Sequence, residues 1–299
     1  MSSQFEVTVR TGFFLGVLLI LTVWELLAPR RKLRVRKGPR WTSNLGLAFL
    51  NSFLSRFLIP VTAVGASIAA ESRKWGLFHF FEWPVWLEIG LAILAFDLAI
   101  YLQHVMFHAV PALWRLHMVH HADLDFDVTT GVRFHTLEIV LSALFKLAVV
   151  VVLGPSALAV ILFEVLLNAT AMFNHSNVRI PVWLDRIIRR VIVTPDMHRV
   201  HHSVIRCEAN SNFGFNLSWW DILLGTYRSD PADGHEQMTI GLSYMRDELQ
   251  VNRLPGMLAI PFQSGIGEYS VTNAIKPVAD SIPPVNEPMS ITDKKDLQR

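Results

Sequence analysis

Long apolar runs are the feature of this chain that most constrains its fold. Five stretches consist mainly of apolar residues, and each approaches the length of about 20 residues that a helix needs to cross a membrane. They cover residues 12–28, 45–70, 85–107, 137–153 and 156–174. The composition agrees, because 52% of the 299 residues are hydrophobic and only 17% are charged. The sequence therefore predicts an all-α integral membrane bundle with four or five transmembrane helices.

Proline, glycine and polar residues predict how these runs are divided. The run 45–70 contains Asn51, Arg56 and Pro60, so we expect it to be bent. Gly154 and Pro155 separate the last two runs and favour a tight helical hairpin between them. We predict one membrane domain over residues 1–262. The remainder, 263–299, is rich in Ser, Pro and Asn and is expected to be a flexible tail.

A basic segment after the first run predicts the orientation of the bundle. Residues 29–40 contain seven basic and no acidic residues, and no small-residue cleavage site precedes them. This pattern favours an uncleaved anchor over a signal peptide and places the segment in the cytoplasm. Counting membrane crossings from there places two further regions, 104–135 and 175–262, on the same side, where they form a predicted helical cap.

Twelve histidines accompany a single cysteine, Cys207. One cysteine excludes an internal disulfide and a cysteine-based zinc site. A thiolate beside the last histidine motif would be unusual among imidazoles, so we interpret Cys207 as structural. The net charge of +2 gives no support for a nucleic-acid partner. Eight of the histidines form one HxxxH and two HxxHH motifs, at His104 and His108, at His117, His120 and His121, and at His198, His201 and His202.

The spacing of these eight histidines predicts a binuclear metal site. Residues three and four apart share a helix face, so each HxxHH is expected to direct three imidazoles at one point. Eight imidazoles exceed the three or four protein ligands of a single typical ion, and two ions would use them fully.

The other four histidines receive different assignments. His175 follows the hairpin and emerges beside the last motif, so we predict it as a ninth ligand. His135 is a possible additional ligand, and a hydrogen bond to Glu138 is the open alternative. We assign no metal role to His79 or His235. Five polar side chains are candidates for orienting the imidazoles, namely Asp97, Asn174, Asp196, Asn212 and Asp221.

The three motifs and their surroundings resemble the fatty acid hydroxylase and sterol desaturase superfamily of membrane di-iron oxygenases. The resemblance lies in the order of the motifs, the apolar hairpin between the second and the third, and the segments DLAIYLQHVMFH, LWRLHMVHHAD, TPDMHRVHHS and NSNFGFNLSWWDILLGTYR. It covers approximately residues 40–230.

This resemblance implies a cytoplasmic centre in which two iron ions activate dioxygen to oxidise a C–H bond of a lipid. The implied reaction is hydroxylation or desaturation of an acyl chain or sterol, with no catalytic residue predicted beyond the metal ligands. The implied ligands are the eight histidines of the motifs, with His175 as the ninth. A separate electron-transfer protein and an NAD(P)H-linked reductase are the implied electron source.

Two other functions remain open from the sequence. A membrane metal carrier would be expected to place its ligands along a path within the helices, whereas these motifs fall at the helix ends. A zinc-dependent membrane hydrolase is the second alternative, although the chain has no HExxH motif.

Overall fold

The computed structural model describes residues 3–263, and the regular secondary structure in this range is helical. β-Structure within this range is limited to four isolated bridges. The all-α prediction is therefore confirmed. The α-helices are α1 (Ser3–Leu27), α2 (Lys37–Leu58), α3 (Ala63–Arg73), α4 (Val85–Ala109), α5 (Pro111–His121), α6 (Thr136–Leu153), α7 (Ala157–Asn174), α8 (Val182–Ile188), α9 (Pro195–His201), α10 (Arg206–Ala209), α11 (Trp219–Leu223), α12 (Gly234–Gln237), α13 (Glu248–Val251) and α14 (Leu254–Ala259), with 3-10 turns at Leu77–Phe80, Thr130–Val132 and Ile260–Phe262.

Five segments in the described range are long and apolar enough to cross a membrane. They are Val7–Leu27, Lys37–Phe80, Val85–Ala109, Thr136–Leu153 and Ala157–Asn174. Four of them correspond closely to the predicted runs. This agreement supports the upper of the two predicted helix counts.

The second segment differs from its prediction in where it starts and how it bends. Helix α2 begins at Lys37, inside the basic segment, and ends at Leu58. Pro60 follows, and a proline at this place interrupts the helical hydrogen bonds. Helix α3 then starts beyond Thr62, whose side chain accepts a hydrogen bond from the Gly65 amide. The predicted bend is thus a complete break between two helices.

The early start of α2 depends on a buried arginine. Arg40 donates hydrogen bonds from Nε to Asp123 and from Nη1 to Asp127, both at 2.6 Å, and all three side chains are inaccessible to solvent. Burial of a guanidinium is costly, and here two carboxylates compensate its charge. These ion pairs attach the start of α2 to the loop that follows α5.

The predicted hairpin joins α6 and α7 at Gly154. Gly154 has a φ of +63° and caps α6, and its amide donates to the Val150 carbonyl. Ser156 caps α7, and its amide and hydroxyl donate to the two carboxylate oxygens of Glu88, both at 2.8 Å. The turn is therefore tied to the start of α4, at the opposite end of that helix from its histidines.

The apolar contacts form two main cores. One lies among the long helices α3, α4, α6 and α7, where Phe96 stacks on Phe163 with ring centroids 4.8 Å apart. The other lies beneath the C-terminal segment, where Met257 and Ile260 pack with Trp114 and Met118 of α5. The predicted flexible tail, 263–299, lies outside the described residues except for Gln263, and the extent of the 1–262 domain stays a prediction.

Substitution of Gly154 tests the hairpin turn. A Cβ atom at this position would lie 2.1 Å from the Trp75 carbonyl oxygen, and the positive φ disfavours any side chain. We expect Gly154→Val to lower the free energy of unfolding by about 1 to 3 kcal/mol from backbone strain alone. Gly90→Val is the matched control, because no atom lies within 4 Å of a Cβ at Gly90. The thermal unfolding midpoint in detergent is the measurement, and an equal loss in both variants would contradict the prediction.

Candidate metal centre

Nine buried histidines converge at the end of the membrane helices in two groups. Within each group the ligand nitrogens all lie within 4.8 Å of one another. The five-histidine group contains His104, His108, His117, His121 and His201, and the four-histidine group contains His120, His175, His198 and His202. The structure thus brings together all eight histidines of the motifs and adds His175, as the sequence predicts.

The division between the groups follows the helix period and corrects one expectation. Each HxxHH motif serves both groups, although we expected its three imidazoles to meet at one point. Residues four apart lie on nearly the same line along a helix, so the pairs His117/His121 and His198/His202 each stay within one group. The remaining member of each motif, His120 or His201, is the immediate neighbour of a paired residue and therefore faces the other group.

The ends of helices α4, α5, α7 and α9 position the imidazoles. Helix α4 ends at Ala109, and Pro111 at the start of α5 follows after a single residue, so the two helices turn sharply. His104 consequently faces His117 with 3.1 Å between their Nε2 atoms, and His108 faces His121 at the same distance. His175 is the C-cap of α7. Thr194 caps α9, which begins with Pro195 and carries the third motif.

Hydrogen bonds at Nδ1 fix the orientation and tautomer of several rings. The Nδ1 atoms of His104, His120, His175 and His201 each face a backbone carbonyl, at 2.7, 3.2, 2.6 and 2.7 Å. A carbonyl oxygen only accepts, so each of these Nδ1 atoms carries the proton. In a neutral ring this leaves the Nε2 lone pair free to bind a metal ion.

Burial keeps the rings outside the membrane segments neutral. Desolvation lowers the pKa of His117 and of His175 to about 3. Desolvation, with repulsion from neighbouring imidazoles, also lowers the pKa of His120 and of His202 well below the ordinary value. Burial disfavours the charged form of an imidazole, so these rings offer lone pairs rather than protons.

The resulting arrangement fits metal ions. His120 and His175 both carry their proton on Nδ1, yet their Nε2 atoms lie 3.0 Å apart. Two lone pairs at this distance repel each other unless a cation lies between them. Nitrogens at about 2.1 Å from one ion and at right angles to each other are about 3.0 Å apart. The spacing of 3.0 to 3.2 Å among the facing nitrogens matches this value.

Comparison with protein-family models finds a match that covers the histidine centre. The model described as fatty acid hydroxylase matches residues 89–226. This part of the chain therefore resembles the fatty acid hydroxylase family. The match begins within α4 and ends after α11. It includes all nine converging histidines and confirms the resemblance found in the sequence. Together with the five apolar segments, it makes the chain a multi-pass membrane protein.

Three curated relatives of this chain have names that refer to lipids. Ornithine lipid hydroxylase OlsE of Rhizobium tropici is 31% identical over 160 residues, which are 51% of this chain and 46% of the relative. Alkylglycerol monooxygenase of Xenopus tropicalis is 28% identical over 202 residues, 64% of this chain and 42% of the relative. Cholesterol 25-hydroxylase of Mus musculus is 29% identical over 146 residues, 48% of each protein. The matches thus span about half the length of these relatives or less. The comparison with solved structures finds no match.

The remaining three histidines lie outside both groups. His135 caps α6, where its Nδ1 accepts from the Leu137 amide and its Nε2 lies 3.4 Å from the Leu258 carbonyl oxygen. Both ring nitrogens are therefore engaged, and the structure brings His135 into neither group. His79 lies in the 3-10 turn between α3 and α4. His235 lies near Asp196 and Asp230, at 3.8 and 3.7 Å.

The side chains that contact imidazoles differ from the five proposed from the sequence. Glu138 accepts from Nδ1 of His117 at 2.6 Å, and Asn210 contacts Nδ1 of His108 at 3.1 Å. The five proposed side chains bind elsewhere, as when Asp221 accepts from the amides of Phe213 and Gly214. Because the Phe213 carbonyl holds His104, Asp221 supports that ring through the backbone and not by direct contact.

The loop after α5 contacts two regions that hold the four-histidine group, namely the His120 ring and the last turn of α7. Arg133 contributes the carbonyl that holds His120, and its Nε donates to the Val119 carbonyl at 2.7 Å. Gly131 packs against the last turn of α7, where a Cβ atom would lie 2.5 Å from the Ala171 carbonyl oxygen that holds His175. Glycine is the residue that permits this approach. The Gly131 contact was not predicted, because only the packed structure shows how close the two segments come.

Replacement of Glu138 tests its role behind His117. Glu138→Leu removes the acceptor for Nδ1, and loss of such a partner typically weakens metal binding by about 10- to 100-fold. We expect Glu138→Gln to retain more of the affinity, because its amide oxygen still accepts the hydrogen bond. Metal retained by the purified protein against a chelator is the measurement.

Glu88→Gln is the control for this experiment. Glu88 is also an acidic residue on the membrane helices, but it contacts Ser156 at the far end of the bundle. Equal metal retention by Glu138→Leu and by the unmodified chain would show that His117 needs no carboxylate partner.

Proposed function

We propose that this chain hydroxylates a C–H bond of a lipid with dioxygen, using two iron ions bound by the nine histidines. The observation that carries the proposal is the division of nine buried imidazoles into groups of five and four, with lone pairs converging in each. The resemblance to this family supports the same conclusion. Desaturation remains the related outcome, since it begins with the same removal of hydrogen from a C–H bond.

The ligand set favours iron over zinc. Structural zinc is almost always four-coordinate, and catalytic zinc keeps three protein ligands, whereas one group here offers five. Bound iron supplies the redox chemistry by which dioxygen attacks an unactivated C–H bond.

The protein's own residues keep this chemistry away from water. All nine imidazoles are buried, and aromatic rings cover them on several sides. Phe134 stacks on His120 with centroids 4.4 Å apart, Trp114 lies 4.9 Å from His108, and Phe126 lies 5.0 Å from His202. A dry site protects a strong oxidant from reaction with solvent.

A lipid substrate is supported by the position of the centre and by the relatives. The two groups take ligands from the last turns of α4 and from the end of α7, both of which are membrane-spanning segments. A lipid can approach such a site from the bilayer. The relatives are named for ornithine lipid, alkylglycerol and cholesterol, which share an extended apolar part. Electrons would come from a separate electron-transfer protein and its NAD(P)H-linked reductase.

Isotope labelling distinguishes the proposed reaction from its alternatives. The iron-loaded protein, supplied with reductant, ¹⁸O₂ and a bilayer lipid extract, is expected to yield a hydroxylated lipid that carries ¹⁸O, detected by mass spectrometry. An unlabelled new double bond would indicate desaturation. Iron uptake with no oxygen consumption would favour a metal carrier, and activity with zinc alone would favour a hydrolase.

Two histidine variants link the product to the centre. We expect His120→Ala to abolish the labelled product and to lower bound iron, because it removes one of four ligands in its group. His79→Ala is the control, since His79 lies outside both groups, and it should retain the product. Full turnover by His120→Ala would contradict the ligand assignment.

The cytoplasmic position of the centre is part of the proposal and can be tested with the native cysteine. Cys207 is exposed and lies five residues after His202. In spheroplasts, a membrane-impermeant maleimide should leave Cys207 unlabelled until the membrane is permeabilised. In a Cys207→Ser background, Glu82→Cys should be labelled at once, because Glu82 is exposed in the segment between α3 and α4. The reverse pattern would place the centre on the outer side.

A further inference from the structure

A cleft separate from the histidine centre is lined by four arginines. It has a volume of about 570 Å³ and lies between α8, the start of α9 and the segment after α11. Its arginines are Arg30, Arg186, Arg189 and Arg190, and its acidic residues are Asp185, Asp196 and Asp230. Nothing in the proposed reaction uses these residues. The cleft is therefore a candidate for a second role of the protein.

The cleft lies at the level of the membrane surface. Arg30 comes three residues after α1 ends at Leu27, and Val182 comes eight residues after α7 ends at Asn174. Both helices are membrane-spanning segments. The chain leaving α1 is joined to the chain leaving α7 by a hydrogen bond of 2.8 Å from the Arg179 amide to the Ala28 carbonyl. Residues this close to two span ends lie within the layer of lipid headgroups.

An apolar rim beside the cleft supports contact with lipid. On α8, Val182, Trp183 and Ile187 are 59%, 65% and 55% exposed. On α11, Ile222 and Leu223 are 50% and 72% exposed. A short amphipathic helix with exposed aliphatic residues and tryptophan next to arginine is typical of a segment that rests in the membrane interface.

Two of the four arginines have charge available for a ligand. Arg30 is neutralised by Asp196 at 3.1 Å and Glu236 at 3.2 Å, and Arg189 forms an ion pair with Asp185. Arg186 and Arg190 are exposed and make no ion pair among the described residues. The cleft also contains Asp230, which is 71% exposed. Two available guanidinium groups thus outnumber one solvated carboxylate.

We propose that this cleft binds the phosphate of an anionic phospholipid headgroup. Arg186 and Arg190 would donate to the phosphate oxygens, a pairing for which the planar guanidinium group is well suited. The acyl chains would lie along the apolar rim of α8 and α11. A lipid held here fixes the cap against the bilayer, and this role is independent of the proposed oxidation.

A lipid titration of the purified full-length protein tests this site. In a zwitterionic detergent, dioctanoyl phosphatidylglycerol should raise the thermal unfolding midpoint in a saturable way. For the double variant R186Q/R190Q the half-saturating concentration should rise at least about tenfold, equivalent to the loss of about 1.4 kcal/mol of binding free energy. Both side chains are exposed, so the midpoint without lipid and the bound metal should stay unchanged.

Three controls show whether the lipid binds in this cleft and whether the net negative charge of its headgroup is required. Phosphatidylcholine carries the same phosphate as phosphatidylglycerol, but its choline ammonium offsets the charge. K32Q/R36Q removes two exposed charges of the basic segment after α1 and should bind phosphatidylglycerol as the unmodified chain does. Dioctanoyl phosphatidylcholine should require at least about tenfold more lipid, and inorganic phosphate should give no saturable shift. The proposal is overturned if R186Q/R190Q keeps its affinity, if K32Q/R36Q loses it equally, if the two lipids bind alike, or if inorganic phosphate reproduces the effect.

Discussion

The main constraint on this structure is that imidazole lone pairs face and repel one another in a buried site. His120 and His175 have no proton to share across 3.0 Å, because both rings already donate from Nδ1 to carbonyl oxygens. Such a contact is unfavourable by itself and becomes favourable when a cation binds both nitrogens. The arrangement of the nine imidazoles therefore suits a bound cation, because the neutral rings themselves provide no positive charge to offset the repulsion.

This frame is held by polar contacts that reach from the membrane helices to the cap. Arg40 at the start of α2 binds Asp123 and Asp127 in the loop after α5, and the same loop supplies the Arg133 carbonyl that holds His120. Arg133 also donates from Nη1 to Asn44 of α2 at 3.0 Å. Two buried carboxylates compensate the charge of Arg40, and hydrogen bonds hold Arg133, so these contacts attach the loop to α2 beside the imidazoles.

The amino-acid pattern predicts the membrane helices and the nine histidines but not how the site is supported. The apolar runs and the i, i+4 histidine pairs are local properties, and His175 follows from the end of a predicted helix. Glu138 and Asn210 contact histidines that are 21 and 102 residues away, so no spacing rule points to them. Other rings donate to backbone carbonyls, such as those of Phe213 and Ser211. Every residue has a backbone carbonyl, so the sequence does not indicate which of them will contact a histidine. The start of α2 at Lys37 was not predicted, because the segment is basic and the acidic partners of Arg40 lie more than 80 residues further along the chain.

The exchange of one histidine in each HxxHH motif has a consequence for how two ions would bind. Helix α5 contributes His117 and His121 to the five-histidine group and His120 to the four-histidine group. The third motif, in α9 and its C-cap, contributes His198 and His202 to the four-histidine group and His201 to the five-histidine group. Neither group can be assembled without both helices. An ion in either group would therefore contact both of the helices that the other ion also requires. The same connection explains why α9, a helix of only seven residues, is fixed at its start by Thr194 and Pro195: a shift of this short helix would move ligands of both groups at once.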